Sequence, residues 1–178
     1  LSLAEQALFE DDSSYFMDLY VMDADGGNVR QLTRSPGYDG GPFFSPDGSK
    51  ITWRRFNPDG NSAEIWTMDA DGSNQRQLTA DAMVAWAPYY HPSGEYLIYS
   101  SNQLGHANFE LFLIDTQGAH APVRVTNTDG TDILPVFSPS GDQLAWSTTR
   151  TPDGTSQLHI ADWNHARALE LLANSSAH

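Results

Sequence analysis

Few residues in this chain are of types that carry out chemistry, and their spacing favours binding over catalysis. There is no cysteine, which removes thiolate nucleophiles, thiolate metal sites and disulfides. No Gly-x-Ser-x-Gly elbow, His-Glu-x-x-His helix or Gly-x-x-x-x-Gly-Lys phosphate loop occurs in the sequence, so no residue is assigned a catalytic role. Asp23, Asp25 and Asn28, and again Asp69, Asp71 and Asn74, form an Asp-x-Asp-Gly-x-Asn pattern that raises calcium. A calcium loop needs further oxygen ligands and a closing bidentate Glu, which are missing. An Asp-Gly pair between two strands is already a hairpin turn, so no metal or cofactor is expected, and calcium is the one ion the pattern brings to mind.

The remaining candidates are polar contact residues. Asp39 and Asp132 offer carboxylates for a cation or a basic side chain, against the plainer reading that each caps a turn through its backbone. Arg54, Arg55 and Arg150 would hold a carboxylate bidentately, against internal ion pairing. Trp86 supplies an aromatic contact, and His106 stands in a polar stretch with Asn102, Gln103 and Asn108. His159 and His165 flank Asp162 but do not share a ligand spacing, and His91 is read as a local hydrogen-bonding residue.

Charge narrows the partners. With 23 acidic against 9 basic residues the formal net charge is −14, which repels nucleic acid and anionic membranes. No apolar run reaches the length of a spanning helix, and Leu1 to Glu10 lacks the basic region of a signal peptide, so no membrane insertion is expected. Fourteen glycines, ten prolines, 11% aromatic and only 18% charged residues suit short strands joined by many turns.

The elements that must position these residues come from a repeat. Leu19-Tyr20-Val21-Met22-Asp23-Ala24-Asp25-Gly26 returns as Ile65-Trp66-Thr67-Met68-Asp69-Ala70-Asp71-Gly72 and, more loosely, as Leu111 to Gly118; Asp23, Asp69 and Asp115 stand 46 residues apart. A degenerate fourth copy runs from Leu158 to Asp162. A second block keeps the period: Pro42-Phe43-Phe44-Ser45-Pro46-Asp47-Gly48, Pro88 to Gly94, and Pro135 to Gly141. A third, Gln31-Leu32-Thr33, Gln77-Leu78-Thr79 and Arg124-Val125-Thr126, completes the unit. Each unit resolves into four short strands: A ending at Ser-Pro or His-Pro, B as in Lys50 to Arg54, C ending in Asp-x-Asp-Gly, and D ending in Leu-Thr. Four strands in about 46 residues is the signature of a propeller blade. The fold class is therefore all-β, a β-propeller of four-stranded antiparallel blades, about four in number, in one domain over 1–178 with units near 1–37, 38–83, 84–130 and 131–178. Ala7 to Glu10 reads as a strand B, and Arg167 to Leu172 as the strand D of the last unit.

Phe44-Ser45-Pro46-Asp47-Gly48, Trp66-Thr67-Met68-Asp69-Ala70-Asp71-Gly72 and Arg76-Gln77-Leu78-Thr79 resemble the TolB-type β-propeller repeat, one of the WD-like propeller repeats. Departures are His91 for the motif Ser, Ser93 and Ser140 for its Asp, and Trp163-Asn164 in place of the last Asp-Gly turn. The resemblance implies a periplasmic or extracellular location and a ring of usually six blades. Four units then make either part of a longer chain or a ring completed by self-association. It also leaves three functions open: a non-catalytic module binding a protein or small ligand, a piece of a propeller enzyme (the gating propeller of a prolyl-oligopeptidase-like peptidase, or a lyase), or a self-associating scaffold.

Strand order separates two rims. Short, repetitive A-to-B and C-to-D turns occupy one. The longer B-to-C connections, Arg54 to Ala63, Ser101 to Asn108 and Thr148 to Ser156, share the other with the D-to-A connections, Arg34 to Gly41, Ala80 to Ala87 and Asn127 to Leu134. Variable loops on a rigid scaffold carry binding residues, so the ligand-binding candidates are those of this second rim: Asp39, Arg54, Arg55, Trp86, His106, Asp132 and Arg150.

Overall fold

Aromatic and β-branched residues bounded by Pro, Asp and Gly produce strands of two to eight residues in the computed structural model, which describes residues 16–80 and 83–176. In chain order these are β1 (Phe16–Met17), β2 (Tyr20–Val21), β3 (Arg30–Gln31), β4 (Gly37–Phe44), β5 (Lys50–Phe56), β6 (Ala63–Asp69), β7 (Arg76–Gln77), β8 (Ala85–Tyr90), β9 (Tyr96–Ser101), β10 (Glu110–Asp115), β11 (Val123–Arg124), β12 (Asp132–Phe137), β13 (Gln143–Thr148) and β14 (Gln157–Asp162), followed by helix α1 (His165–Ala173). The second and third units are four-stranded antiparallel meanders, β4-β5-β6-β7 and β8-β9-β10-β11. The first unit is seen as the β2-β3 pair, and the last as β12-β13-β14. The chain is all-β apart from α1.

Neighbouring sheets pack face to face, and each gap is filled by apolar residues at recurring repeat positions. Leu19, Leu32, Ile51, Trp53 and Met68 fill the first gap; Ile65, Leu78, Tyr90, Tyr99, Phe112 and Ile114 the second; Leu111, Leu113, Phe137, Leu144 and Trp146 the third, with Ala168 and Leu172 of α1. Because side chains alternate along a strand, strand C sends Ile65 forward to the next sheet and Met68 back to the previous one. The first strands also touch one another, β4 with β8 and β8 with β12, as strands lining one axis do. The start of each strand C clips to the start of the next strand A: β1 pairs with β4 in parallel, the Ala63 N–H donates to Met83, and the Asp132 N–H donates to Phe109.

Three expectations are corrected. Strand A begins before its proline, at Gly37, Ala85 and Asp132, so the D-to-A connections are shorter than expected. Each of these strands carries a bulge, with Gly41, Ala87 and Leu134 in the left-handed region at φ 64°, 52° and 56°. The extra residue breaks the alternation that marks a strand, and only Gly41 announces it. Second, Arg54, Arg55, Ser101 and Thr148 belong to strands. Third, Arg167 to Leu172 lies in α1 and not in a strand D; Asn164 caps the helix, its side chain accepting from the Arg167 N–H. Helix-favouring Ala and Leu at Ala166, Ala168, Leu169, Leu171 and Leu172 outweigh the repeat there. The strand proposed at Ala7 to Glu10 lies outside the described residues.

Candidate functional site

Asp39 and Asp132 do not cap turns. Both are fully buried strand residues, and each gathers a tryptophan and an arginine. Asp39 accepts from Trp53 Nε1 at 3.0 Å, from Arg55 Nε and Nη2 at 2.7 and 2.8 Å, and from the Ser35 hydroxyl at 3.1 Å. Asp132 accepts from Trp146 Nε1 at 3.1 Å, Arg150 Nη2 at 2.6 Å and the Thr128 hydroxyl at 3.3 Å. Asp and Trp are 14 residues apart in both units, across a strand A and strand B pair. The third unit carries Ala85 and Tyr99 at these positions and has no such triad. Burial of a carboxylate requires a partner cation and a full set of donors; four of the expected rim residues, Asp39, Arg55, Asp132 and Arg150, meet that need for each other.

Arg54 is different. Its guanidinium lies 4.8 Å from the Trp86 ring, 5.1 Å from Tyr38 and 5.9 Å from Phe56, and Nη2 donates to the Tyr38 hydroxyl at 3.1 Å. Among the described residues it forms no ion pair, and its buried Nε has no hydrogen-bond partner. Arg54 comes from β5 and Trp86 from β8, so the stack bridges two blades. Trp86 is 39% exposed. His106 sits in the exposed loop after β9, where its carbonyl accepts from the Asn102 side chain at 3.4 Å.

The two Asp-x-Asp-Gly-x-Asn segments are internally satisfied turns. Asn28 and Asn74 adopt φ 52° and 54° and donate to Asp23 and Asp69, each at 2.6 Å. Asp25 and Asp71 accept from the Gly27 and Ser73 N–H groups. The hydroxyl of Ser73 and the side chains of Lys50 and Asn74 hold the carboxyls of Asp71 and Asp69 below the usual carboxylate range, and the Ser45 hydroxyl and Ser49 do the same to Asp47, which falls to about 2. No group of His, Asp and Glu able to hold a metal ion is found among the described residues. A cleft of about 920 Å³ opens on this rim, between the second and third sheets. Its charged groups are engaged internally: Lys50 with Asp69, Arg76 with the Thr116 carbonyl and Gln117, and Asp47 with Ser45 and Ser49.

Two sets of residues escaped the sequence analysis. The first is a staple repeated in three blades, in which an acid in strand C meets the Thr of Leu-Thr: Asp18 with Thr33, Glu64 with Thr79 and Glu110 with Thr126. The same threonine oxygens accept from the N–H groups of Leu19, Ile65 and Leu111, each at 2.9 Å. The acids stand 46 residues apart, and that spacing was the available signal. The second joins two departures from the repeat. His91, in place of the motif Ser, stacks on His165 of α1 with ring centres 4.5 Å apart, and Tyr96 links them, accepting from Trp163 Nε1 at 2.8 Å and lying 3.2 Å from His165 Nδ1. The helix that displaces strand D is thus docked by the residue that displaces Ser.

Burial holds the His91 imidazole below its ordinary range, and the adjacent His165 pushes the same way, against the Gly141 carbonyl and Glu95. The unfolded chain therefore binds this proton at higher pH than the folded one. The stabilisation is complete above about pH 6.5, the ordinary value, and is lost as pH falls through the lowered folded value. Urea melts are expected to show a midpoint that drops on acidification below that pH. His91→Ser should flatten the drop; an unchanged pH slope in the variant would remove His91 as its source.

The stacked four-stranded meanders, the shared inner edge and the 46-residue register define a chain of β-propeller blades. The blades are of the TolB-like repeat family. No family model matches the chain, but two curated relatives do: a TolB homologue of Chlorobium chlorochromatii, 29% identical over 145 residues (82% of this chain, 31% of the relative), and one of Chlorobium luteolum, 29% identical over 155 residues (87% and 34%). The chain spans about a third of the length of these relatives. Among solved structures, it superposes on a putative TolB from Agrobacterium tumefaciens with a TM-score of 0.69 at 24% identity, over 82% of this chain and 52% of that one. Propeller enzymes share the fold as well, among them a puromycin-hydrolysing peptidase of Mycobacterium tuberculosis (TM-score 0.60, 15% identity, 82% and 23% coverage).

Proposed function

We propose that this chain is a non-catalytic TolB-like propeller module that binds a protein or small ligand on its loop-rich rim, through Arg54, Trp86 and His106. The observation that carries this reading is the Arg54 guanidinium: a cation without a carboxylate partner, on a half-exposed tryptophan, in a strongly acidic protein. Of the seven rim candidates, Asp39, Arg55, Asp132 and Arg150 are given to holding strands A and B together, which leaves these three to face a ligand. An arginine stacked on an aromatic surface suits a carboxylate carried on an apolar or aromatic body. The TolB likeness supports a periplasmic or extracellular location and a protein partner.

A thermal-shift and titration screen with carboxylate-bearing peptides and small acids tests the assignment. Arg54→Gln and Trp86→Ala are expected to weaken the best hit by about 30-fold, the scale of losing a contact of about 2 kcal/mol, while Lys50→Gln on the opposite rim leaves it unchanged. Equal binding by wild type and both rim variants would overturn it.

A further inference from the structure

The faces at the two ends of the blade array are the two halves of an interface that the chain builds internally three times. Leu19, Ile65, Leu111 and Leu158 share one repeat position in strand C, on the side facing the following blade. The first three are buried, Ile65 and Leu111 completely, while Leu158 is 68% exposed. Two residues further on, Leu113 is buried against the next sheet, whereas its equivalent Ile160 is 62% exposed. On the opposite side of strand C, Met68 and the pair Phe112 and Ile114 are buried against the preceding blade. Their equivalents in the first unit, Tyr20 and Met22, are 59% and 64% exposed, with Val29 exposed beside them. One end thus presents an aliphatic forward face and the other an aromatic and methionine backward face, matched in the same sense as Ile65 is matched to Phe112 and Ile114 in the second gap.

We infer that a second copy of this chain is the occupant, docking head to tail, with Leu158 and Ile160 of one copy against Tyr20 and Met22 of the other. The partner is named by the register: the surface that fits this forward face is the backward face carried by every strand C of the same repeat, and the exposed one belongs to the first unit. Such a contact is heterologous, using two different patches, and it propagates into a closed ring or a filament according to the rotation it imposes. Exposed aliphatic and aromatic patches of this kind are otherwise a liability in solution. The inference is independent of the rim-binding reading, since none of the four residues belongs to that rim.

Sedimentation velocity across a concentration series tests it. The wild type is expected to associate as concentration rises. A forward-face variant, Leu158→Glu with Ile160→Lys, and a backward-face variant, Tyr20→Glu with Met22→Lys, should each remain monomeric, with wild-type circular dichroism because the replaced side chains are exposed. Mixing the two variants is the decisive step. Head-to-tail docking leaves one intact pair of faces in the mixture, so a heterodimer forms and stops there. A wild type monomeric throughout, as when neighbouring blades of a longer chain are the true occupants, overturns the inference. So does association that survives in either variant alone, or a mixture that stays monomeric.

Discussion

Asp132→Ala is expected to destabilise the protein by about 3–5 kcal/mol, the cost of removing one member of a buried ion pair. The carboxylate has no exposure to solvent and is the shared acceptor for Trp146 Nε1 and Arg150 Nη2. Without it the indole N–H has lost its acceptor inside the sheet, and the guanidinium has lost its counter-charge. Equilibrium urea unfolding, read as a lowered midpoint at constant slope, measures the effect. Asp132→Asn should recover part of it, because an amide oxygen still accepts from the indole while the charge remains missing. Asp39→Ala should behave alike, since Trp53 and Arg55 surround it in the same way. A ligand-binding carboxylate at a channel mouth predicts the reverse, with stability kept and binding lost, so a midpoint within experimental error of wild type would return Asp132 to the ligand surface.

The second large effect is expected at a residue with no functional claim. Glu110 is completely buried and accepts from Arg124 Nη2 at 2.7 Å, from the Thr128 N–H at 2.7 Å and from the Thr126 hydroxyl. Glu110→Ala strands all three donors and is expected to cost about 3–5 kcal/mol by the same argument. Thr126→Val is the informative companion. It removes the hydroxyl that donates to Glu110 and accepts from the Leu111 N–H, so an unsatisfied buried donor adds a loss of about 1–3 kcal/mol. If the two residues act as one staple, the double variant is less destabilised than the sum of the singles. Strict additivity in that cycle would show that the contact between them contributes nothing of its own.

Both predictions concern groups that a linear reading sees only dimly, and the reason is physical. The 46-residue period was legible because hairpin turns need Gly, Asn and Asp at fixed positions and strand C needs apolar residues on both faces; each requirement is local and recurs in every blade. That was enough for the all-β class, the blade and its strand order. Strand A was misjudged because a bulge shifts its alternation, and Ala87 and Leu134 carry the left-handed conformation without the glycine that marks it at Gly41. The last unit was misjudged because a helix replaces strand D after Asn164, and its docking depends on His91, more than seventy residues earlier. No local signal spans such a distance.

The sequence by itself determined the repeat, the turns that carry much of the negative charge, and the residues available for a rim. Only the tertiary structure decided which of those residues remain available. Burial forces Asp39 and Asp132 to find cations, and the nearest are Arg55 and Arg150, so the most chemically suggestive carboxylates become internal ties. Arg54 differs from Arg55 by one position in β5, but alternation along the strand turns it to the other face. There it meets Trp86 of the next blade in place of a carboxylate, and that pairing is a property of how two sheets stack.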